Sequence, residues 1–335
     1  MADKIIYSSS GNVNAAIGKL ETPLRMIIDH ESDNCTKRGG ARDWLFNVMD
    51  SKRFAETVVL QNEFDVFKAT DEGADAEHDS LGETFKKHIE HIQFMKTFTV
   101  TAKMMEDANF GVAADAKRRA EDFTRAYYKT MHRACTAALA NGTSTSYTYA
   151  GAALDLTTPD GVALFSTAHK VGLEGDTQSN YFTKAGLFDS TSAFENALGE
   201  LAVSLRNMKD ENGDPLGYTA DTIILPGNRG MAESIAKKVC GSYGALGNGY
   251  NDINIQYGNW NIVVLPDWQT EDDRVMIMSS EANKNLAGNL FFNRVPLSVR
   301  SWVQEASGNY NWTGRCRFGV GFGSYKHILL AVAGS

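Results

Sequence analysis

Between Thr99 and Gly142 the chain reads TVTAKMMEDANFGVAADAKRRAEDFTRAYYKTMHRACTAALANG. A short alternating strand runs into an acidic turn, and then into one unusually long helix. Val112, Ala116, Ala120, Phe123, Tyr127, Met131, Ala134 and Ala138 recur every three or four residues, the spacing of a single apolar helical stripe. Asp107 or Asn109 can cap its start, and Asn141-Gly142 is a typical stop. Roughly thirty residues at 1.5 Å rise make a rod of about 40 Å. One core helix of a compact domain does not need that length. A thin plate crossed from end to end by a single helix does.

The chain has 335 residues, which at about 150 residues per domain predicts two domains or one elaborated one. The formal net charge of −8 argues against a basic groove wrapped on nucleic acid. No run of about eighteen apolar residues is present to span a membrane as a helix. The start, MADKIIYSSSGNVN, has no apolar signal core, so a cytoplasmic product is expected. Cys35, Cys135, Cys240 and Cys316 are far apart and form no C-x-x-C pair, so buried free thiols are expected.

Residues 1–50 are polar and weakly periodic, with isolated apolar clusters around Trp44, Leu45 and Phe46, and read as an extended N-terminal arm with short anchoring helices. Residues 51–101 alternate at Val58, Leu60, Phe64 and Val66, reach a charged tip, DEGADAEHDSLGE, and return with alternation through Ile89, Ile92, Phe94, Phe98 and Val100. That pattern predicts an extended β-hairpin. A hairpin so long and so poor in apolar residues is marginal alone and should lie on a neighbouring subunit. Residues 190–208 predict a helix capped by Ser190. A buried strand at Thr222–Leu225, a helix in GMAESIAKKVCGS and strands in NWNIVVLPDW and RVMIMSS complete an α/β unit over 195–285. The tail is a series of β segments.

Four segments carry a family resemblance: TVTAKMMEDANF leading into the long helix, DGVALFSTAHKVG after it, DENGDPLGYTADTIILPGN before the α/β unit, and WTGRCRFGVGFGSYKH near the end. In order and spacing they resemble the major capsid proteins of tailed bacteriophages, of the HK97 fold and similar to the major head subunits of Mu-type phages. The resemblance implies an α+β fold in five pieces. These are an N-terminal arm (1–50), an extended hairpin loop (51–101), a peripheral domain with the spine helix (102–194), an axial domain (195–285) and C-terminal strands of the peripheral domain (286–335). It implies a virion shell subunit that assembles with itself, as hexamers and pentamers, around double-stranded DNA. Scaffold, portal and decoration proteins are the other partners it suggests, with synthesis in the host bacterial cytoplasm. About 50 residues precede the hairpin, too few for a scaffolding segment as well as an arm, so a separate scaffold protein is expected. The acidic balance fits DNA held by confinement without specific binding, since phosphate-driven affinity needs clustered Lys and Arg. A cellular cage subunit of the same fold, enclosing enzyme cargo, is the rival.

No catalytic, cofactor or metal residue is assigned. Ser166 and His169, with Asp160 nearby, suggest a small soluble hydrolase, but no G-x-S-x-G elbow is present. His88 and His91 have the three-residue spacing of a zinc pair on a helix, without H-E-x-x-H order; solvated histidines on the hairpin are the alternative. Asp210, Asn212 and Asp214 alternate like calcium ligands, but Pro215 stands where glycine is required and Asp221 where a bidentate glutamate should be, so a turn is expected. Gly319, Gly321 and Gly323 precede a β segment and no helix, so they are expected to allow close strand packing or a bulge. On the long helix, Arg118, Arg119, Arg125, Lys129 and Arg133 read as a salt-bridged face, with Asp115–Arg119 and Glu121–Arg125 as pairs. Some shells of this fold crosslink through a hairpin lysine. Lys68, Lys86 and Lys87 lie there, with no marked acceptor or catalytic acid.

Overall fold

The computed structural model describes residues 5–9, 15–61, 67–73, 75, 83–103, 111–172, 176–241 and 254–334. Its first strands are β1 (Ile6–Ser9), β2 (Asn47–Asp50), β3 (Ala55–Gln61), β4 (Glu83–Glu90), β5 (Ile92–Val100), β6 (Ser146–Tyr149) and β7 (Ala152–Asp155). Then come β8 (His169–Lys170), β9 (Thr177–Gln178), β10 (Tyr181–Ala185), β11 (Thr222–Pro226), β12 (Asn261–Leu265) and β13 (Arg274–Met278). The chain closes with β14 (Asn289–Val303), β15 (Tyr310–Phe322) and β16 (Ile328–Gly334). One five-stranded sheet runs β1-β14-β15-β5, with β2 also paired to β14; a second runs β10-β16-β13-β11-β12. The fold is α+β.

The long helix spans Gly111–Ala140, about 45 Å at 1.5 Å per residue. Asp107 and Asn109, the expected caps, lie outside the described residues. Its apolar stripe covers one face of the first sheet, where Phe123 meets Phe98 at 5.2 Å between ring centres and Phe98 stacks on Trp312 at 5.2 Å. The approach is close: a Cβ on Gly314 of β15 would lie 2.3 Å from Phe123 Cζ. Asn141 closes the helix by donating from N and Nδ2 to Ala137 O.

A second flank of this helix, through Thr124, Tyr128, Cys135 and Leu139, is also buried, and here the structure corrects the reading of the arm. Residues 15–38 form a helix, Ala15–Arg38, that packs along the long helix. Leu24, Ile28, Ser32 and Cys35 face inward, Ser32 Oγ lies 2.7 Å from Tyr128 OH, and Arg125 Nε donates to Glu31 Oε1 at 2.6 Å. Half of that inward stripe is serine and cysteine, so an apolar scan of residues 1–50 does not register it.

In the second sheet β11 is buried at every residue, as a TIILP run predicts for a strand covered on both faces. Ile223 and Leu225 pack under the helices Thr191–Arg206 and Gly230–Gly241, while Ile224 faces the main core. Ser190 caps the first of these helices by accepting from Ala193 N at 3.1 Å. The last strand, β16, pairs with β10 and β13 in this sheet. The 286–335 grouping had placed it with the strands of the first sheet. Its ILLAV run is buried on both faces, as an interior strand between β10 and β13 is.

The hairpin is shorter than the alternation suggests. β3 pairs with β4 alone, and the return arm ends at Glu90, because β5 belongs to the first sheet. The inward residues are Lys87, Ile89 and His91 up to the bend, then Ile92, Phe94 and Phe98 beyond it. This one-residue change of phase reverses the buried face, which marks a junction of two strands and not one long arm.

Candidate assembly surfaces

The root of the hairpin is seated on glycines. Ile89 is 3% exposed and packs with Leu290 and Phe292, with Val58 against them. A Cβ at Gly321 would lie 2.6 Å from Ile89 Cδ1, one at Gly319 2.8 Å from His91 Nδ1, and one at Gly323 3.1 Å from Val58 Cγ1. Gly319 and Gly321 of β15, with Gly323 just past its end, are therefore the floor on which β3 and β4 rest, the close packing expected of them.

Two polar locks hold the same root. Lys87 is buried; its Nζ donates to Asp155 O at 3.4 Å and to Thr157 O, and lies 3.5 Å from Asp155 Oδ2. Burial pushes the Lys87 ammonium down, against the pull of the Asp155 and Asp160 carboxylates. This lysine is committed within its own subunit. At the bend, Ser51 Oγ donates to Glu56 Oε1 at 2.6 Å and pairs with His91 Nε2 at 2.9 Å, while Arg317 Nε donates to His91 O at 3.1 Å. With its only proton on Glu56, Ser51 must accept from His91, which places the histidine proton on Nε2. Burial, then the Arg317 and Arg294 charges, hold His91 below its ordinary value, with Glu56 opposing. His91 is thus a buried hinge residue and not one of two solvated histidines. His88 is exposed on the opposite strand face, with Nδ1 2.9 Å from Thr57 Oγ1, so the two form no zinc pair.

Beside its root and past the end of β3 the chain presents apolar surface to solvent. Phe54 is 71% exposed and Phe67 fully so. Arg317 lies over one face of the Phe54 ring, 5.2 Å from its centre, and the rest of that ring is exposed.

The loop that carries Ser166 and His169 is built for rigidity. His169 is fully buried; Nδ1 lies 2.8 Å from Asp160 Oδ2, Nε2 lies 3.1 Å from Leu164 O, and the ring stacks on Tyr325 at 3.9 Å. Both ring nitrogens face acceptors, and neither faces Ser166, whose Oγ accepts from Ala168 N at 3.2 Å. Burial raises the Asp160 carboxyl, but hydrogen bonds from His169, Thr158 and Lys170 N outweigh it and hold it low. Asn180 Nδ2 ties this loop to Leu164 O and Ile328 O. A base for serine is not available there, and the loop instead pins the first sheet's side of the molecule to β16.

A family model described as phage capsid protein matches residues 90–331, more than half of the chain. The chain belongs to the phage capsid protein family. Solved capsids share its HK97-type fold. The capsid of cyanophage P-SCSP1u aligns with TM-score 0.54 at 10% identity, over 87% of this chain and 87% of that one. The capsid of Myoviridae phage XM1 gives 0.52 at 12%, over 86% and 88%, and a virus-like particle from Pyrococcus furiosus gives 0.51 at 10%, over 95% and 100%. No curated protein sequence matches the chain. It is a structural subunit of a phage capsid, assembling with copies of itself into the shell.

Other residues singled out in the sequence fall into place in this capsid protein. Asp210 Oδ1 accepts from Asn212 N at 2.9 Å and Asp214 N at 2.8 Å, closing the expected turn, while the Asp221 carboxylate accepts from Ser280 N and Oγ elsewhere. All four cysteines are buried and free, and burial pushes Cys316 up to about 12 and Cys240 up to about 11. On the long helix, Arg125 pairs with Glu31, Glu121 and Asp122, Arg118 with Asp115 and Arg133 with Asp267. Arg119 donates to Thr99 O instead of pairing with Asp115. No helix among the described residues is long and apolar enough to cross a membrane.

Proposed function

We propose that this capsid protein forms hexamers and pentamers that close an icosahedral head around the double-stranded DNA of a tailed phage. The observation that carries the reading is the hairpin: β3 and β4 pair only with each other, rest on the body at their root, and leave Phe54 and Phe67 exposed. A two-stranded ribbon of this kind is stable only against another surface, and in a shell that surface is the next subunit. The division into arm, hairpin loop, peripheral domain with the long helix, and axial domain follows the same logic, the rigid body being the plate and the hairpin its strap. The chain performs no catalysis in this account, since His169 is bound on both sides. Its DNA is held by confinement. A separate scaffold sets the size of the shell, a portal occupies one vertex and decoration proteins bind outside, after synthesis in the host cytoplasm.

The test is electron microscopy of particles formed by the chain, with their contents analysed. Closed shells containing DNA in native particles support the reading. Shells filled with a cargo enzyme would make the protein a cellular cage. Uniform, correctly sized shells from this chain alone would remove the separate scaffold.

A further inference from the structure

The seam between the long helix and the first sheet is filled unevenly. Strand residues two apart share a face, so Phe94, Lys96 and Phe98 of β5 lie on the side covered by the helix. The register sets Cys316, Gly314 and Trp312 of β15 beside them in turn. At the Phe98–Trp312 row two large rings stack, and Phe123 packs on them from the helix. At the next two rows the β15 residues are a glycine and a cysteine, and Lys96 is exposed where an apolar side chain would fill the gap. The helix does not make up the volume, since it turns Ala126 and Thr130 to the same space.

The result is a cavity of about 320 Å³. Phe94 and Tyr149 wall one end, edge to face with ring centres 6.2 Å apart. Tyr149 OH donates to Thr130 O at 3.1 Å, which ties that wall to the helix. The lip is the two-residue turn between β6 and β7, where Ala150 has a φ of 49° and Gly151 a φ of 86°. A left-handed alanine is strained and persists where its surroundings hold it, so the lip is a fixed part of the cavity. Among the described residues no carboxylate lines the space, and Lys96 is the one lining residue charged at neutral pH.

We propose that this cavity binds a small, flat aromatic acid, with its rings wedged between the long helix and β5 and its anionic group beside the Lys96 ammonium. A preformed cavity with aromatic walls and few polar groups is the usual form of a small-molecule site. A space of about 150 Å³ already holds benzene, so this one has room for two fused rings and a carboxylate. Aromatic walls favour a flat apolar body, and a charge-assisted contact with Lys96 fixes its orientation. A cation would meet Lys96 with no carboxylate to offset it. The site lies within one subunit and stands apart from the shell reading. A ligand held there ties helix to sheet and stabilises the folded subunit.

The probe is naphthalene-2-carboxylate, with the neutral naphthalene-2-carboxamide and the cationic 2-naphthylmethylammonium as controls. Each is titrated into the purified full chain by calorimetry, and the shift in thermal unfolding is read alongside. Lys96→Met removes the charge, Lys96→Arg keeps it, and Ala126→Phe fills the cavity from a partly exposed helix position, with Ala126→Leu in its place if phenylalanine disturbs the fold. Every variant is first matched to the wild type by circular dichroism. The carboxylate should bind wild type about tenfold more tightly than the amide, and the ammonium most weakly. Lys96→Met should lose that margin, and Lys96→Arg should keep most of it. The cavity-filling variant should lose binding of acid and amide alike, together with the rise in unfolding temperature. No binding to folded wild type at about 1 mM probe, an affinity scale of about 4 kcal/mol, would overturn the proposal. Equal affinity for acid and amide would overturn it too, as would binding that survives the filled cavity.

Discussion

Replacing Gly321 with alanine puts a methyl carbon 2.6 Å from Ile89 Cδ1 and 2.9 Å from Ile89 Cγ1. Carbon atoms pack best at about 3.5–4.0 Å, so Ile89 has to retreat by about 1 Å or leave its rotamer. Overpacking of this size costs about 1–3 kcal/mol. The cost falls on the seating of the hairpin, because β3 and β4 make no strand pairing with either sheet. It therefore raises the population of an unseated hairpin by about 5- to 150-fold while global stability changes much less. Hydrogen exchange resolves this directly. Amides of β3 and β4 should exchange faster by that factor, and amides of β11 and β13 should not change. Shell yield should drop in parallel. Ile89→Val in the same chain deletes the nearest clashing atom and should recover part of the loss. Unchanged exchange in β3 and β4, or acceleration spread evenly through both sheets, would refute the idea that glycines seat a locally independent hairpin.

Three further outcomes follow from the same structure. Ile28→Ala in the arm helix, at a position 1% exposed, should cost about 2–5 kcal/mol in urea unfolding, whereas a loosely held arm would lose little. Burial pushes His327 down to about 3, so it stays neutral in the fold and is protonated in the unfolded chain below its ordinary value of about 6.5. Stability should then fall as pH drops from about 6.5 towards 3, by up to about 1.4 kcal/mol per unit from this residue, and His327→Gln should flatten the profile of Tm against pH. Ser166→Ala should leave shell yield unchanged, since Ser166 only accepts from Ala168 N, whereas a hydrolase centred on Ser166 and His169 would lose all activity.

The parts of the fold legible in sequence are those whose burial is written in apolar residues at a steady period. The long helix and the TIILP strand are of this kind, and so are the Ser190 cap and the glycine triplet. The arm helix was not legible, because its inward stripe includes Ser32 and Cys35 and its contacts with the long helix run through Tyr128 and Arg125. The end of the hairpin was hidden for a different reason. Alternation continues through His91, and only its phase changes, which becomes visible once the partner strands are known. The place of β16 depends on pairing with strands fifty or more residues away, information that local pattern does not hold. At the site, His88 and His91 looked alike in spacing, and only the strand geometry separates an exposed residue from a buried hinge. Nor was the proximity of Arg300 and Arg315 legible, on the sheet face away from the long helix, since they come into adjoining rows only through the register of β14 and β15.

The central claim is that this chain builds a closed shell. Cryo-electron microscopy of particles recovered from cells making it, supplied with a scaffold where needed, addresses that claim directly. The account predicts icosahedral shells in which each hairpin lies across a neighbouring subunit and the long helix runs within the shell wall. Subunits that remain monomeric under every assembly condition, or shells in which the hairpin folds back on its own subunit, would contradict it.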